Sequence, residues 1–278
     1  MSSLLVRGAR QLLTLRGSAE PRYGSRMMDL GVVPDGSILI NGHCISEVGT
    51  TRRVANLASS QQIECIDATG CIVMPGFVDP AADLLGVRPT LAALTRRAER
   101  LIHHGVTSVG ALSRHRIPAH SEEALAHVGL DVVWDAGWES EHWESVVYMP
   151  MRFARRQQAV PAARDAIGQG KLVALSTGFQ EPDTTSCSML ACIALAYLDG
   201  EWEVEQAITA ATTNAAHLMG IGLQAGNIEP GRRADLILVE VPDYTDIPKH
   251  LGENLVRAVI KNGRIIHERH GSRWYSAL

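Results

Sequence analysis

The chain has 278 residues, of which 46% are hydrophobic and 20% are charged, and its formal net charge is −4. This composition is typical of a globular protein with one large or two small domains, and it gives no electrostatic reason to expect binding to nucleic acid or to a membrane. Five irregularly spaced cysteines and the lack of a long apolar stretch after Arg7 and Arg10 predict free thiols, no signal peptide and a cytoplasmic location.

The first 72 residues are predicted to be mostly β-structure. Residues 4–15 have strand character with a turn at Gly8, and residues 63–68 and 71–74 continue the strand pattern. The strongest local signal is Asn41-Gly42 between alternating apolar residues, because Asn-Gly favours the tight turn of a β-hairpin.

The stretch from residue 71 to residue 85 contains two short apolar runs. Pro75-Gly76 separates the two runs, and Asp79-Pro80 follows the second. This pattern predicts a buried strand with a break at its start and a loop at its end.

Helices and short strands are predicted to alternate in the middle of the chain. Five strands are predicted here. The first follows Gly76, and the other four are 106–112, 130–136, 145–151 and 171–177. Helices are predicted at 91–104, 121–128 with Ser121 as the N-cap, 161–168, 187–198 and 202–218. A complete eight-stranded β/α barrel usually needs about 250 residues, so about three strand–helix units of such a barrel would be missing. The gap fits best after Leu112.

The last part of the chain mirrors the first. A turn cluster at residues 226–231 precedes a predicted strand at 234–239. Asn262-Gly263 then predicts a second hairpin, between residues 256–261 and 264–267.

Three motifs resemble the metal-dependent amidohydrolase superfamily and, within it, the imidazolonepropionase family. They are Pro-Gly-Phe-Val-Asp-Pro at 75–80, Ala-Thr-x-Asn-Ala-Ala at 211–216 and Gly-x-Ile-Glu-Pro-Gly-x-x-Ala-Asp-Leu at 226–236. The resemblance implies an α/β fold with two domains. Residues 1–72 and 225–278 would form one composite β-sandwich, and residues 73–224 would form a truncated or incomplete β/α barrel of the TIM type.

The resemblance also implies where a metal would bind. In the family, a His-x-His after the first barrel strand, a histidine from a middle strand and an aspartate from the last strand hold one metal. The corresponding positions here are Ala81, Asp83 and Gly178, and the middle histidine has no identifiable counterpart. A catalytic zinc normally keeps three protein ligands. No zinc or iron cofactor is therefore predicted, although the family uses one.

Other residues could still form a site. Arg88 lies near a family arginine that could bind a substrate carboxylate, and Ser113 and His115 follow a predicted strand, where barrel enzymes place their sites. Asp83 could act as a base, or it could cap the loop after its strand. Aromatic and acidic residues at 134–144 could form a binding patch, or they could be core anchors beside solvated charges.

The leading hypothesis is a shortened, catalytically inactive relative, a pseudoenzyme with a binding or assembly role. Its partner would be a second copy or an active relative, with no nucleic acid and no membrane. One alternative is an active hydrolase of a cyclic amide C–N bond that uses Asp83 and groups from 134–144. The other is a binding protein for a small acidic ligand, held by Arg88.

Overall fold

A computed structural model describes residues 3–17, 19–58, 63–87, 89–111, 117–134, 145–152 and 156–269, with the backbone alone for 156–160. The strands are β1 (Ser3–Leu13), β2 (Val32–Asn41), β3 (Cys44–Thr50), β4 (Glu64–Asp67), β5 (Ile72–Pro75), β6 (Phe77–Ala82), β7 (Val106–Ala111), β8 (Asp131–Trp134), β9 (Ser145–Tyr148), β10 (Leu172–Leu175), β11 (Leu236–Val239), β12 (Val256–Lys261) and β13 (Arg264–Glu268).

The α-helices are α1 (Thr51–Ala58), α2 (Leu91–His103), α3 (Ser121–Val128), α4 (Arg156–Gly168), α5 (Met189–Leu198), α6 (Val204–Ala211) and α7 (Thr213–Leu218). Two 3₁₀ helices span Gly24–Met28 and Tyr244–His250. No helix in the described part of the chain is long and apolar enough to cross a membrane.

Strands from both ends of the chain share one sheet. Its order is β13-β12-β11-β5-β1-β2-β3, and β4 also pairs with β1. The sheet folds over on itself, because Cys44 of β3 forms an isolated antiparallel bridge with Arg233, just before β11. Both predicted Asn-Gly hairpins are confirmed. Their turns meet so closely that a β-carbon on Gly263 would lie 2.1 Å from the Gly42 carbonyl oxygen. The division of the chain into two domains remains a prediction.

The predicted turn at Gly8 is a β-bulge inside a continuous strand. Gly8 has a φ of +75°, and the pairing register of β1 with β2 shifts between Val6 and Ala9. On the side of β1 away from β2, residues before the bulge pair with β4 and residues after it pair with β5. The bulge therefore reorients the strand between two neighbours, as bulges commonly do.

Gly76 connects β5 of the large sheet to β6, the first strand of the middle region. Its N–H donates to the Asp235 carbonyl (2.9 Å), and a β-carbon there would lie 2.3 Å from the Thr107 side chain. The next strand, β6, does not end at Asp79-Pro80 as predicted but continues to Ala82. Its pairing with β7 is irregular between Asp79 and Ala82, and proline is tolerated at such bulges.

The five predicted strands of the middle region are confirmed, in two small parallel sheets. One has the order β6-β7-β8 and the other pairs β9 with β10. In the described residues, α3 and β8 come after β7, and β8 pairs directly with β7. Where strand–helix units are missing relative to the family remains a prediction. These described strands do not form a closed barrel.

Two local helix predictions are wrong. His120, with a φ of 63°, takes the N-cap position of α3, and the hydroxyl of Ser121 donates instead to the Pro118 carbonyl (2.6 Å). The single helix predicted for 202–218 breaks into α6 and α7 at Thr212, whose φ and ψ are −130° and −92°. The Thr212 hydroxyl donates to the Ile208 carbonyl (2.7 Å), which satisfies an acceptor near the end of α6.

Candidate functional site

The ends of β6 and β10 meet at a buried carboxylate, Asp79. Its side chain is 0% exposed, and one oxygen accepts hydrogen bonds from the Ser176 hydroxyl (2.5 Å) and the Ala81 amide (3.3 Å). The other oxygen accepts a hydrogen bond from the Thr177 hydroxyl. We call Asp79, Ser176 and Thr177 the Asp79 cluster. It joins two strands that belong to different sheets.

The Asp79 cluster also lies beside the three positions that the sequence resemblance aligns with metal ligands. The Ser176 hydroxyl oxygen lies 3.1 Å from the Ala81 carbonyl oxygen and accepts a hydrogen bond from the Gly178 amide (3.1 Å). The Asp83 amide donates to the Phe179 carbonyl (2.7 Å). Ala81, Asp83 and Gly178 therefore lie on neighbouring backbone segments.

Burial raises the pKa of the Asp79 carboxyl group. Hydrogen bonds from Ser176, Thr177 and the Ala81 amide act in the opposite direction, but the net pKa is raised. Both carboxyl oxygens are occupied by these donors. A general base needs an accessible oxygen within reach of the proton that it removes. Asp79 thus has the role of a structural bridge in this geometry.

Asp83 caps the loop that follows β6. One of its carboxylate oxygens accepts hydrogen bonds from the amides of Leu85 (2.9 Å) and Gly86 (2.8 Å). This is the capping alternative that the sequence left open beside a catalytic one. A metal bound at that oxygen would compete with both amides.

Gly178 leaves little room for a longer side chain. Its φ is +59°, a conformation that favours glycine. A β-carbon at Gly178 would lie 3.2 Å from both the Met149 sulfur and Cγ of Arg152. The Arg152 guanidinium donates to the side-chain oxygen of Gln180, which holds its stem over this glycine. An aspartate here would therefore require the Met149 and Arg152 side chains to shift by a few tenths of an ångström.

The residues that the structure describes do not fit the family's metal. Ala81 and Gly178 have no donor atoms in their side chains, and one Asp83 oxygen is committed to the loop. Within the described ranges, no three His, Cys, Asp or Glu side chains are grouped so that they could hold a metal ion. Zinc sites need three or four such ligands.

A charged clasp lies beside these strand ends. Glu181 forms ion pairs with Arg97 (3.0 Å) and Arg100 (2.5 Å), both on α2. Arg97 is 7% exposed and also donates to the carbonyl groups of Leu84 and Leu85. The clasp therefore connects the loops that follow β6 and β10. It was missed in the sequence, although Arg97 lies beside the apolar face of its helix.

The other predicted site residues, Arg88, Ser113 and His115, lie outside the described residues, and so does most of the 134–144 patch. The sequence prediction also missed the Asp79 cluster. Its signal was a carboxylate inside an otherwise apolar strand, together with two adjacent hydroxyl residues after a second strand. That signal marks buried polar groups but does not identify which of them pair.

Comparisons with known proteins identify relatives. Residues 150–266 match the amidohydrolase family model. The imidazolonepropionase of Bacillus velezensis is 38% identical over 110 residues, which are 40% of this chain and 26% of that relative. The imidazolonepropionase of Solibacter usitatus is 23% identical over 417 residues, covering 97% of this chain and all of the relative. Since this chain has 278 residues, at least 139 of those 417 aligned positions (417 minus 278) have no counterpart here.

Solved structures show the same fold. A. niger ochratoxinase matches with a TM-score of 0.73 at 13% identity, over 98% of this chain and 97% of that chain. E. coli guanine deaminase matches with a TM-score of 0.67 at 14% identity, over 97% of this chain and all of that chain. At such low identity these similarities establish the fold alone.

Proposed function

Since the chain is an imidazolonepropionase-like member of the amidohydrolase superfamily, we propose that it has lost metal-dependent hydrolysis and has a binding or assembly role. The observation that supports this proposal is the use of the carboxylates at the ends of β6 and β10. Asp79 bridges the two strands, Asp83 caps a loop and Glu181 pairs with two arginines. Each acidic group is thus committed to holding the fold.

The chemistry of the reaction explains why this commitment matters. Opening a cyclic amide needs a nucleophilic water, a group that polarises the carbonyl and a base that moves the proton. A bound metal lowers the pKa of water from 15.7 to about 7, which supplies hydroxide at neutral pH. General acid–base help alone contributes about 10²–10⁴-fold, short of typical enzymatic accelerations of 10⁶-fold or more.

We further propose that residues 73–224 form a truncated barrel and that a second copy of the chain covers its open side. Among the described strands, β8 and β9 each have a partner on one side only. Val132, Val133 and Trp134 of β8 are half-buried rather than fully buried. Unpaired strand edges favour pairing with another chain. The positions missing relative to the Solibacter protein are consistent with lost strand–helix units.

Hydrolysis is tested on the purified chain, with and without added Zn²⁺ or Fe²⁺, using imidazolone propionate and simple cyclic amides. We expect no turnover above the uncatalysed rate, and a metal content well below one ion per chain after dialysis. The matched variant is Asp83→Ala, which removes the remaining oxygen donor. Turnover above about 1 per second that Asp83→Ala abolishes would show an active hydrolase and overturn the proposal. One firmly bound zinc or iron per chain would do the same.

Assembly is tested separately by light scattering coupled to size-exclusion chromatography. A dimer or larger species at micromolar concentration is expected. A stable monomer at that concentration would contradict self-association.

A further inference from the structure

The strands β6 and β10 have to be held together without a shared ladder of backbone hydrogen bonds. In the described part of the chain, β6 belongs to the three-stranded sheet and β10 to the two-stranded sheet. The hydrogen bonds that join them in the described residues are at their carboxyl ends, around residues 79–83 and 176–179. These are also the ends at which the family metal would link the same two strands.

The Ser176 hydroxyl is the centre of these contacts. It donates to the Asp79 carboxylate at 2.5 Å, lies 3.1 Å from the Ala81 carbonyl oxygen and accepts from the Gly178 amide at 3.1 Å. Ser176 and Asp79 are both fully buried. One hydroxyl group therefore contacts the backbone of two positions that lack their metal ligands, 81 and 178.

We propose that Ser176 is a positioning residue that, with Asp79, joins the ends of β6 and β10 in place of a metal ion. The proposal rests on the proposed loss of the metal. In it, the Ser176–Asp79 bond fixes the distance between the strands. The hydrogen bond from the Gly178 amide to the same hydroxyl holds residue 178 at its φ of +59°. The Asp83–Phe179 backbone bond then forms because its two partners are already in place.

The other links between these loops do not replace this one. The Thr177 hydroxyl binds the second Asp79 oxygen and the Phe179 amide, and among the described residues it has no hydrogen bond to the backbone of residue 81 or residue 178. The clasp of Glu181 with Arg97 and Arg100 is partly exposed, with Glu181 at 28% side-chain exposure. Ion pairs near solvent contribute little, whereas breaking a buried hydrogen bond leaves a polar group without a partner and costs more.

The test is Ser176→Ala, compared with Ser108→Ala in the full chain after treatment with EDTA. Ser108 lies on β7, is 0% exposed, and its hydroxyl has no hydrogen-bond partner within the described residues. The two variants thus make the same chemical change at two buried strand positions. We expect Ser176→Ala to lower the midpoint of thermal unfolding by several degrees and Ser108→Ala to leave it nearly unchanged.

Hydrogen exchange gives the local measurement. Ser176→Ala should speed exchange of the Asp83 and Gly178 amides by about 10- to 100-fold, the loss expected when a buried polar group is left without its partner. Ser108→Ala should not change it. If Ser176→Ala does not fold, hydrogen exchange in the wild-type protein still tests the proposal. Its Asp83 and Gly178 amides should be as protected as the slowest amides of β10, and fast exchange there would overturn the proposal.

Repeating the comparison with added zinc distinguishes failure of the proposed role of Ser176 from failure of the proposed function. Equal behaviour of Ser176→Ala and Ser108→Ala in a zinc-free protein would overturn the role of Ser176 and leave the proposed function standing. One bound zinc per chain would overturn the proposed function, whatever the two variants do.

Discussion

Lys261 allows the stability contribution of a buried ion pair to be compared with that of a partly exposed one. Its side chain is 2% exposed, and its ammonium group lies 2.7 Å from Asp131 and 2.6 Å from Asp235. Asp235 is 3% exposed and Asp131 is 37% exposed. Arg233 also contacts both carboxylates. This group of four charges connects the first residue of β8 to the large sheet.

Lys261→Met keeps most of the apolar stem and removes the charge. Removing one partner of a buried pair typically costs about 3–5 kcal/mol, because a charge is left buried. Arg233 and the Asn262 amide still bind Asp235, so we expect the lower end, a loss of about 3 kcal/mol. Asp131→Asn should cost about 1 kcal/mol or less, because that carboxylate is partly solvated.

Urea unfolding, followed by far-UV circular dichroism, measures both losses. The double variant Lys261→Met with Asp235→Asn should recover part of the loss, since it removes both buried charges and keeps an acceptor for the Asn262 amide. Losses of equal size for Lys261→Met and Asp131→Asn would refute the reasoning from burial.

Three further predictions concern buried polar groups. Asn214→Asp should destabilise the fold by about 3 kcal/mol or more in thermal unfolding, because the amide that donates to two buried carbonyl groups becomes an acceptor. Burial raises the pKa of the Cys187 thiol to about 11, so a thiol reagent at pH 8 should modify exposed Cys65 first and Cys187 only on unfolding. Burial, and then neighbouring positive charges, lower the pKa of His104 and His267 from 6.5, so the unfolded state binds more protons. The free energy of unfolding should fall as the pH drops below about 6.5, and His267→Gln should flatten that dependence.

Local chemistry made much of the fold predictable from the sequence. Asn41-Gly42 and Asn262-Gly263 fix their hairpins because few other dipeptides adopt that turn. The five middle strands were readable as short apolar runs. The break at Thr212 was not predicted. It lies where Gly226 packs so closely that a β-carbon there would be 2.9 Å from Cα of Thr213, and no local pattern indicates this tertiary contact.

The candidate site could be predicted only in part. The resemblance drew attention to Ala81, Asp83 and Gly178 through sequence motifs, and their correspondence to metal ligands remains a prediction. The Asp79 cluster was hidden because Asp79 and Ser176 are 97 residues apart in sequence. A local pattern indicates that a polar residue lies in an apolar strand, but the partner depends on how the sheets come together.

The joint at Gly76 has a consequence for insertions and deletions. β5 ends one residue before Gly76 and β6 begins one residue after it. Side chains alternate between the two faces of a strand. With only one residue between β5 and β6, the direction of the side chains in β5 therefore sets the direction of those in β6. A single inserted residue would turn Asp79 to the opposite face of β6, whereas two inserted residues would restore its direction.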